Sequence, residues 1–103
     1  SLKVHGYHVT AIASSKAAFE ALASEQPDVI ISDYRLPGRY TGIELVEELR
    51  RAAGAQIPAI ILTGDITLSE DNTSLPDACQ LLQKPVLTET LKQTINQLLE
   101  RVT

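Results

Sequence analysis

Three apolar runs of this chain each end in a polar residue able to take part in phosphoryl chemistry: Asp28-Val-Ile-Ile-Ser-Asp33, Ala59-Ile-Ile-Leu-Thr63 and Leu81-Leu-Gln-Lys84-Pro85. Their ends offer a carboxylate, a hydroxyl and an ammonium. A carboxylate can attack phosphorus, while a neutral donor and a cation take up charge on the phosphoryl oxygens. Each residue alone has a plainer reading. A strand-terminal aspartate is commonly a turn former, a threonine is a β-branched strand residue, and a lysine before proline is usually solvated. Order and spacing carry the chemical reading, with thirty residues from Asp33 to Thr63 and twenty-one from Thr63 to Lys84.

Runs of four to six β-branched or leucine-rich residues predict strands buried on both faces, as in a parallel sheet. Ligands of open α/β sheets collect at the carboxyl ends of such strands, where these three residues stand. Between the runs the pattern turns helical. Tyr7–Ile12 predicts the first strand, and Ser14 or Ser15 caps a helix with Ala18, Phe19, Leu22 and Ala23 on its apolar face. Pro27-Asp28 ends that helix and starts the next strand. After the turn-rich loop 36–42, Ile43, Val46, Leu49 and Ala53 recur at helical spacing, with Glu47, Glu48, Arg50 and Arg51 opposite. Gly54 is the expected C-cap, and Pro58 precedes the third strand. Residues 66–76 are polar and interrupted by Asn72 and Pro76, which predicts a short, frayed or partly disordered helix. The fourth strand is Cys79–Gln83. Thr88 then caps a last helix carrying Leu91, Ile95, Leu98, Leu99 and Val102 on one side. Alternation of this kind implies right-handed crossovers and a doubly wound α/β fold.

At 103 residues the chain is one domain, with 44% apolar and 21% charged residues, ordinary for a globular protein. No apolar stretch is long enough to span a bilayer, and no signal-peptide pattern opens the chain. A net charge of −4 and 4% aromatic residues argue against a nucleic-acid surface. The single cysteine, Cys79, predicts a buried reduced thiol and a cytoplasmic location. His5 and His8 lack further ligands for a metal site and are expected to face solvent at a strand entrance.

Asp33 followed by Tyr-Arg-Leu-Pro-Gly, then Thr63-Gly64, then Lys84-Pro85, resembles a response-regulator receiver domain of the CheY-like type over essentially the whole chain. The resemblance implies a flavodoxin-like sheet of family order 2-1-3-4-5 and a role in two-component signalling rather than enzymatic turnover. It makes Asp33 the phosphoacceptor, with Thr63 and Lys84 binding phosphoryl oxygens and Gly64 leaving room beside them. It implies Mg2+ on Asp33 and the backbone carbonyl of Arg35, and a cis Lys84-Pro85 peptide orienting the lysine. The implied partner is a histidine kinase or a histidine phosphotransfer protein, with a homodimer as a further option. The phrases around Asp33 and Thr63 look like receivers fused to hybrid sensor kinases.

The chain departs from the family in two places. The family's first strand ends in paired acidic residues that hold magnesium, whereas the only acids before Asp33 are Glu20, Glu25 and Asp28. Tyr7–Ile12 matches the family's second strand, so the expectation is a partial domain over residues 1–103 lacking the first strand–helix unit. A gap between residues 7–12 and 29–32 would leave two rows of backbone groups unpaired. A fragment of a longer chain is the favoured explanation, with an unseen segment or strand exchange with a neighbouring chain as alternatives. A fragment without the acidic pair is expected to bind magnesium and take up phosphate poorly. Leu81 stands where the family has an aromatic switch residue, so the switching face formed with the last helix would respond differently. A pseudo-receiver that binds partners without phosphate chemistry is the alternative. A nucleotide-binding enzyme would need a glycine-rich phosphate loop after a strand, and none is present.

Overall fold

Buried backbone groups must be paired, and this requirement organises the sheet. The computed structural model describes residues 2–4, 6–12, 15–24, 26–36, 41–64 and 75–102. In chain order the elements are β1 (Leu2–Val4), β2 (Tyr7–Ile12), α1 (Ser15–Ser24), β3 (Val29–Asp33), α2 (Gly42–Ala53), β4 (Ala59–Thr63), β5 (Cys79–Gln83) and α3 (Thr88–Val102). One sheet runs in the order β1-β2-β3-β4-β5. The four strands from β2 to β5 are parallel, and β1 lies antiparallel against β2.

The expected gap does not exist. β2 pairs directly with β3, Val9 opposite Val29 and Ile12 opposite Ser32. Asp28 reinforces the junction, its N–H donating to the His8 carbonyl and its Oδ2 accepting the His8 N–H, each at 2.8 Å. Closing the two strands on each other satisfies the groups that a vacancy would orphan. β1, which the sequence reading passed over, forms a hairpin with β2 in the register Leu2↔Val9. His8, the second residue of β2, is half-buried at the strand entrance. His5 and residues 65–74, most of the expected frayed helix, lie outside the described residues.

The buried strands alternate between two cores. Ile30 and Ile61 face a cluster with Ala18 of α1 and Leu45, Val46 and Leu49 of α2. Val29, Ile31 and Ile60 face the other way, against Ile95, Leu98 and Leu99 of α3. Helices on both faces explain why β3 and β4 read as unbroken apolar runs. β5 is the exception to that expectation: at the end of the sheet, Leu81 and Leu82 are half-buried. On α1, Ala18 is buried and Leu22 half-buried one turn on, whereas Phe19 and Ala23 point outward, so the apolar stripe is narrower than its sequence suggests.

α2 is defined at both ends by local chemistry. Thr41 accepts the Glu44 N–H through its hydroxyl at 3.2 Å, and Glu44 returns a carboxylate to the Thr41 N–H at 3.1 Å. This capping box satisfies two groups that the first turn leaves unpaired. Gly54 ends the helix at φ 66°, a left-handed cap with its N–H on the Arg50 and Arg51 carbonyls. Arg50, expected on the solvent face, turns inward instead. Its Nε donates to the Ile57 carbonyl at 2.9 Å and its Nη2 to the Ala78 carbonyl at 3.4 Å, with Cys79 Sγ 3.7 Å away. The planar, multi-donor guanidinium can tie the end of α2 to the starts of two strands at once. Ala78, at φ 58°, sits in the left-handed region that non-glycine residues avoid, and its carbonyl also accepts the Ala59 N–H.

Arg50→Ala, which takes the guanidinium from the Ile57 carbonyl and one of two donors from the Ala78 carbonyl, is expected to lower unfolding stability by about 1–3 kcal/mol in urea titrations. A loss within error of zero would show that water replaces the guanidinium. Burial pushes the Cys79 thiol above its ordinary value, and nearby Arg50 offsets only part of that rise. The thiolate is the reactive form. At mildly alkaline pH, iodoacetamide should therefore alkylate the native chain more slowly than the urea-unfolded chain, by mass spectrometry; equal rates would contradict the buried, protonated thiol.

Candidate functional site

The carboxyl ends of β3, β4 and β5 are brought level by hydrogen bonds that continue the ladders beyond the strands. The Tyr34 N–H donates to the Leu62 carbonyl at 2.7 Å, and the Lys84 N–H donates to the Thr63 carbonyl at 2.7 Å. Asp33, Thr63 and Lys84 therefore meet although widely separated in sequence. They line one cavity of about 640 Å³ with Tyr34, Arg35, Leu62 and Gly64. Lys84 Nζ lies 2.7 Å from Asp33 Oδ1, and both side chains are about half exposed, at 47% and 46%. An ion pair this open is screened by water and contributes little to stability. Its position matters more.

Among the described residues, the pocket carries one carboxylate, Asp33, against two cations, Lys84 and the exposed Arg35, in a chain of net charge −4. That local inversion favours a bound anion. Thr63 is buried to 5% exposure, so the strand holds the residue firmly at the pocket wall. A Cβ added at Gly64 would meet no protein atom within 4 Å, so a side chain there would crowd only the open mouth of the pocket. The Lys84-Pro85 peptide is cis.

Five of the seven residues singled out from sequence converge here: Asp33, Arg35, Thr63, Gly64 and Lys84. Two stand apart. Leu81 is half-buried against the core on the α1–α2 side, opposite Ile61 in the sheet. Pro85 is exposed beyond Lys84 and does not line the cavity. Tyr34 and Leu62 complete the wall and were missed, although Tyr34 follows Asp33 directly. Thr41 was missed as well. Its signal was legible in Thr41-Gly-Ile-Glu44, a capping-box spacing.

Receiver domains typically bind Mg2+ at the phosphorylation site. Among the described residues lining the cavity, the one carboxylate is that of Asp33, with Oδ1 engaged by Lys84. Among the described residues no group of three or more His, Cys, Asp or Glu comes together. Magnesium demands near-octahedral oxygen coordination, and this set does not fit an ion held tightly ahead of the phosphoryl group. Among the described residues, no helix is long and apolar enough to cross a membrane.

Residues 1–96 match the family model described as response regulator receiver domain. The response regulator MprA of Mycolicibacterium vanbaalenii is 33% identical over 104 residues, covering all of this chain and 44% of that protein. The chain thus spans under half the length of the curated relatives it matches. Among solved structures, the receiver domain of the Erythrobacter litoralis response regulator PhyR superposes with a TM-score of 0.67 at 28% identity, over 85% of this chain and 66% of that one. A Clostridium thermocellum response regulator receiver domain shares the fold with a TM-score of 0.70 at 24% identity, over 88% and 73% of the two chains. Parallel strands with helices on both faces, a matching family model and relatives aligned along the whole of this chain make one statement: this chain belongs to the response-regulator receiver domain family, the flavodoxin-like receivers of two-component signalling.

Proposed function

We propose that Asp33 is the phosphoacceptor, taking a phosphoryl group from a phosphohistidine on a histidine kinase or histidine phosphotransfer protein. A carboxylate oxygen of Asp33 forms the new P–O bond while the P–N bond to imidazole breaks, and the leaving nitrogen keeps that electron pair. The product is an acyl phosphate. The observation that carries this reading is the 2.7 Å approach of Lys84 Nζ to Asp33 Oδ1 in a cavity that also holds Thr63. Phosphoryl transfer depends on positioning and charge neutralisation more than on covalent help from the protein. On this reading Lys84 shifts from the carboxylate to a phosphoryl oxygen, the Thr63 hydroxyl donates to another, and Gly64 keeps the mouth open. Arg35 adds a second positive charge at the rim.

The domain on this reading covers residues 1–103, binds Mg2+ weakly and works in the cytoplasm. Leu81 and Pro85 belong to the responding surface rather than the pocket. The phrase from Ser32 to Gly38 supports a hybrid-kinase parent, whereas the relatives named above are response regulators. The sparse oxygen-donor set favours one second reading, a pseudo-receiver that engages partners without phosphorylation.

Incubation with acetyl phosphate, with and without magnesium, separates the two readings by intact mass. The expected result is a gain of one phosphoryl group that Asp33→Asn abolishes, in this chain or in a form extended upstream. No modification of either form would sink the phosphoacceptor reading and leave the binding module. Lys84→Met should slow phosphorylation by about tenfold or more, as loss of a preorganised charge does, yet change unfolding free energy by under about 1 kcal/mol because the pair is half exposed. Equal phosphorylation rates for Lys84→Met and the parent would remove Lys84 from the site.

A further inference from the structure

Two groups crowd the carbonyl oxygen of Asp33. The buried Ser32 hydroxyl donates to it at 2.9 Å. Gly42, the first residue of α2, is buried against it so closely that a Cβ there would overlap this oxygen and lie 3.0 Å from Ser32 Oγ. The Gly42 N–H donates to the next carbonyl along, that of Tyr34, at 2.6 Å. The start of α2 is thus seated on the two peptides that leave β3. The seat is built on both sides of the loop, since Arg35 bridges Thr41 and Thr41 caps the helix through Glu44.

We infer that Gly42 is a positioning residue for Asp33: its missing side chain lets α2 dock on the Asp33 carbonyl and aim the carboxylate at Lys84. The inference rests on the phosphoacceptor reading and names a residue that reading does not use. Any side chain at 42 must push the Asp33 carbonyl aside. The rotation turns the peptide between Asp33 and Tyr34, and the Tyr34 N–H leaves the Leu62 carbonyl that levels β3 with β4. The carboxylate then swings away from Lys84. Backbone atoms cannot yield as the end of a flexible side chain does, and buried packing transmits the shift.

The test is Gly42→Ala in the full chain, with folding followed by urea titration. The saturating rate of phosphorylation by acetyl phosphate should fall by about tenfold or more, while the half-saturating donor concentration changes less than about twofold. The Lys84 15Nζ resonance should respond to Asp33→Asn in the parent and no longer respond in the Gly42→Ala background, a double-mutant signature that a general loss of stability would not produce. A folded Gly42→Ala chain that matches the parent in both rate and Lys84 response would overturn the inference. Should Gly42→Ala fail to fold, Ser32→Ala decides: it removes the hydroxyl that holds the same carbonyl and adds no bulk. Its expected outcome is a several-fold slower rate and a weaker Lys84 response, and parental values of both would overturn the inference. If the parent itself takes up no phosphoryl group, the phosphoacceptor reading fails, and the Lys84 response alone still decides whether Gly42 positions Asp33.

Discussion

The site depends on two backbone hydrogen bonds, Tyr34 N–H to Leu62 carbonyl and Lys84 N–H to Thr63 carbonyl. Parallel pairing alone ends where the strands end, and residues beyond it are ordinarily free to splay. Here each ladder runs one residue further, so the first residues after β3 and β5 are fixed to the rim of β4. β4, flanked by β3 and β5, acts as a common reference for both neighbours. A carboxylate from one loop and an ammonium from another are placed on one framework, and neither loop needs to be rigid along its whole length. The two cores beneath hold that framework level, because β3 and β4 are packed from both faces.

Electrostatics then gives the framework its chemical sense. The chain is acidic overall, yet among the described residues the pocket collects two cations around a single carboxylate. Coulomb interactions between exposed groups fade over roughly a Debye length, about 8 Å at physiological ionic strength. The local arrangement therefore governs what enters, and the acidic surface elsewhere governs it little. Acidic side chains of α2 are used differently: Glu44 caps its own helix, and Glu48 pairs with Arg51 at 2.7 Å on the exposed side.

Much of this was legible from residue order, for physical reasons. β3 and β4 declare themselves because strands covered on both faces need unbroken apolar runs, and Asp33, Thr63 and Lys84 follow because they punctuate the runs. Gly54 was equally plain, since a left-handed cap selects glycine. Apart from the Thr41 capping box, which is local, what escaped notice is mostly non-local. The direct pairing of β2 with β3 could not be deduced, because β2 alternates in the same way whichever neighbour it has. Arg50 looks like any charged residue on a helix until the starts of β4 and β5 appear beside it. Gly42 reads as part of a flexible loop, and its actual constraint is the proximity of a carbonyl nine residues earlier.

The openness of the Asp33–Lys84 pair completes the logic. A fully buried pair would be costly to break, by about 3–5 kcal/mol when one partner is lost. On the phosphoacceptor reading proposed above, Lys84 leaves the carboxylate to meet the incoming phosphoryl oxygens, and a deeply buried pair would hold the ground state against that step. At about half exposure on both sides, water can take over each charge as the pair separates. The strength of the site therefore lies in the position of its groups and not in the energy of their contact. That division explains why the tightest packing in the neighbourhood falls on backbone, at the Asp33 carbonyl beneath Gly42, while the reactive side chains stay loosely held above it.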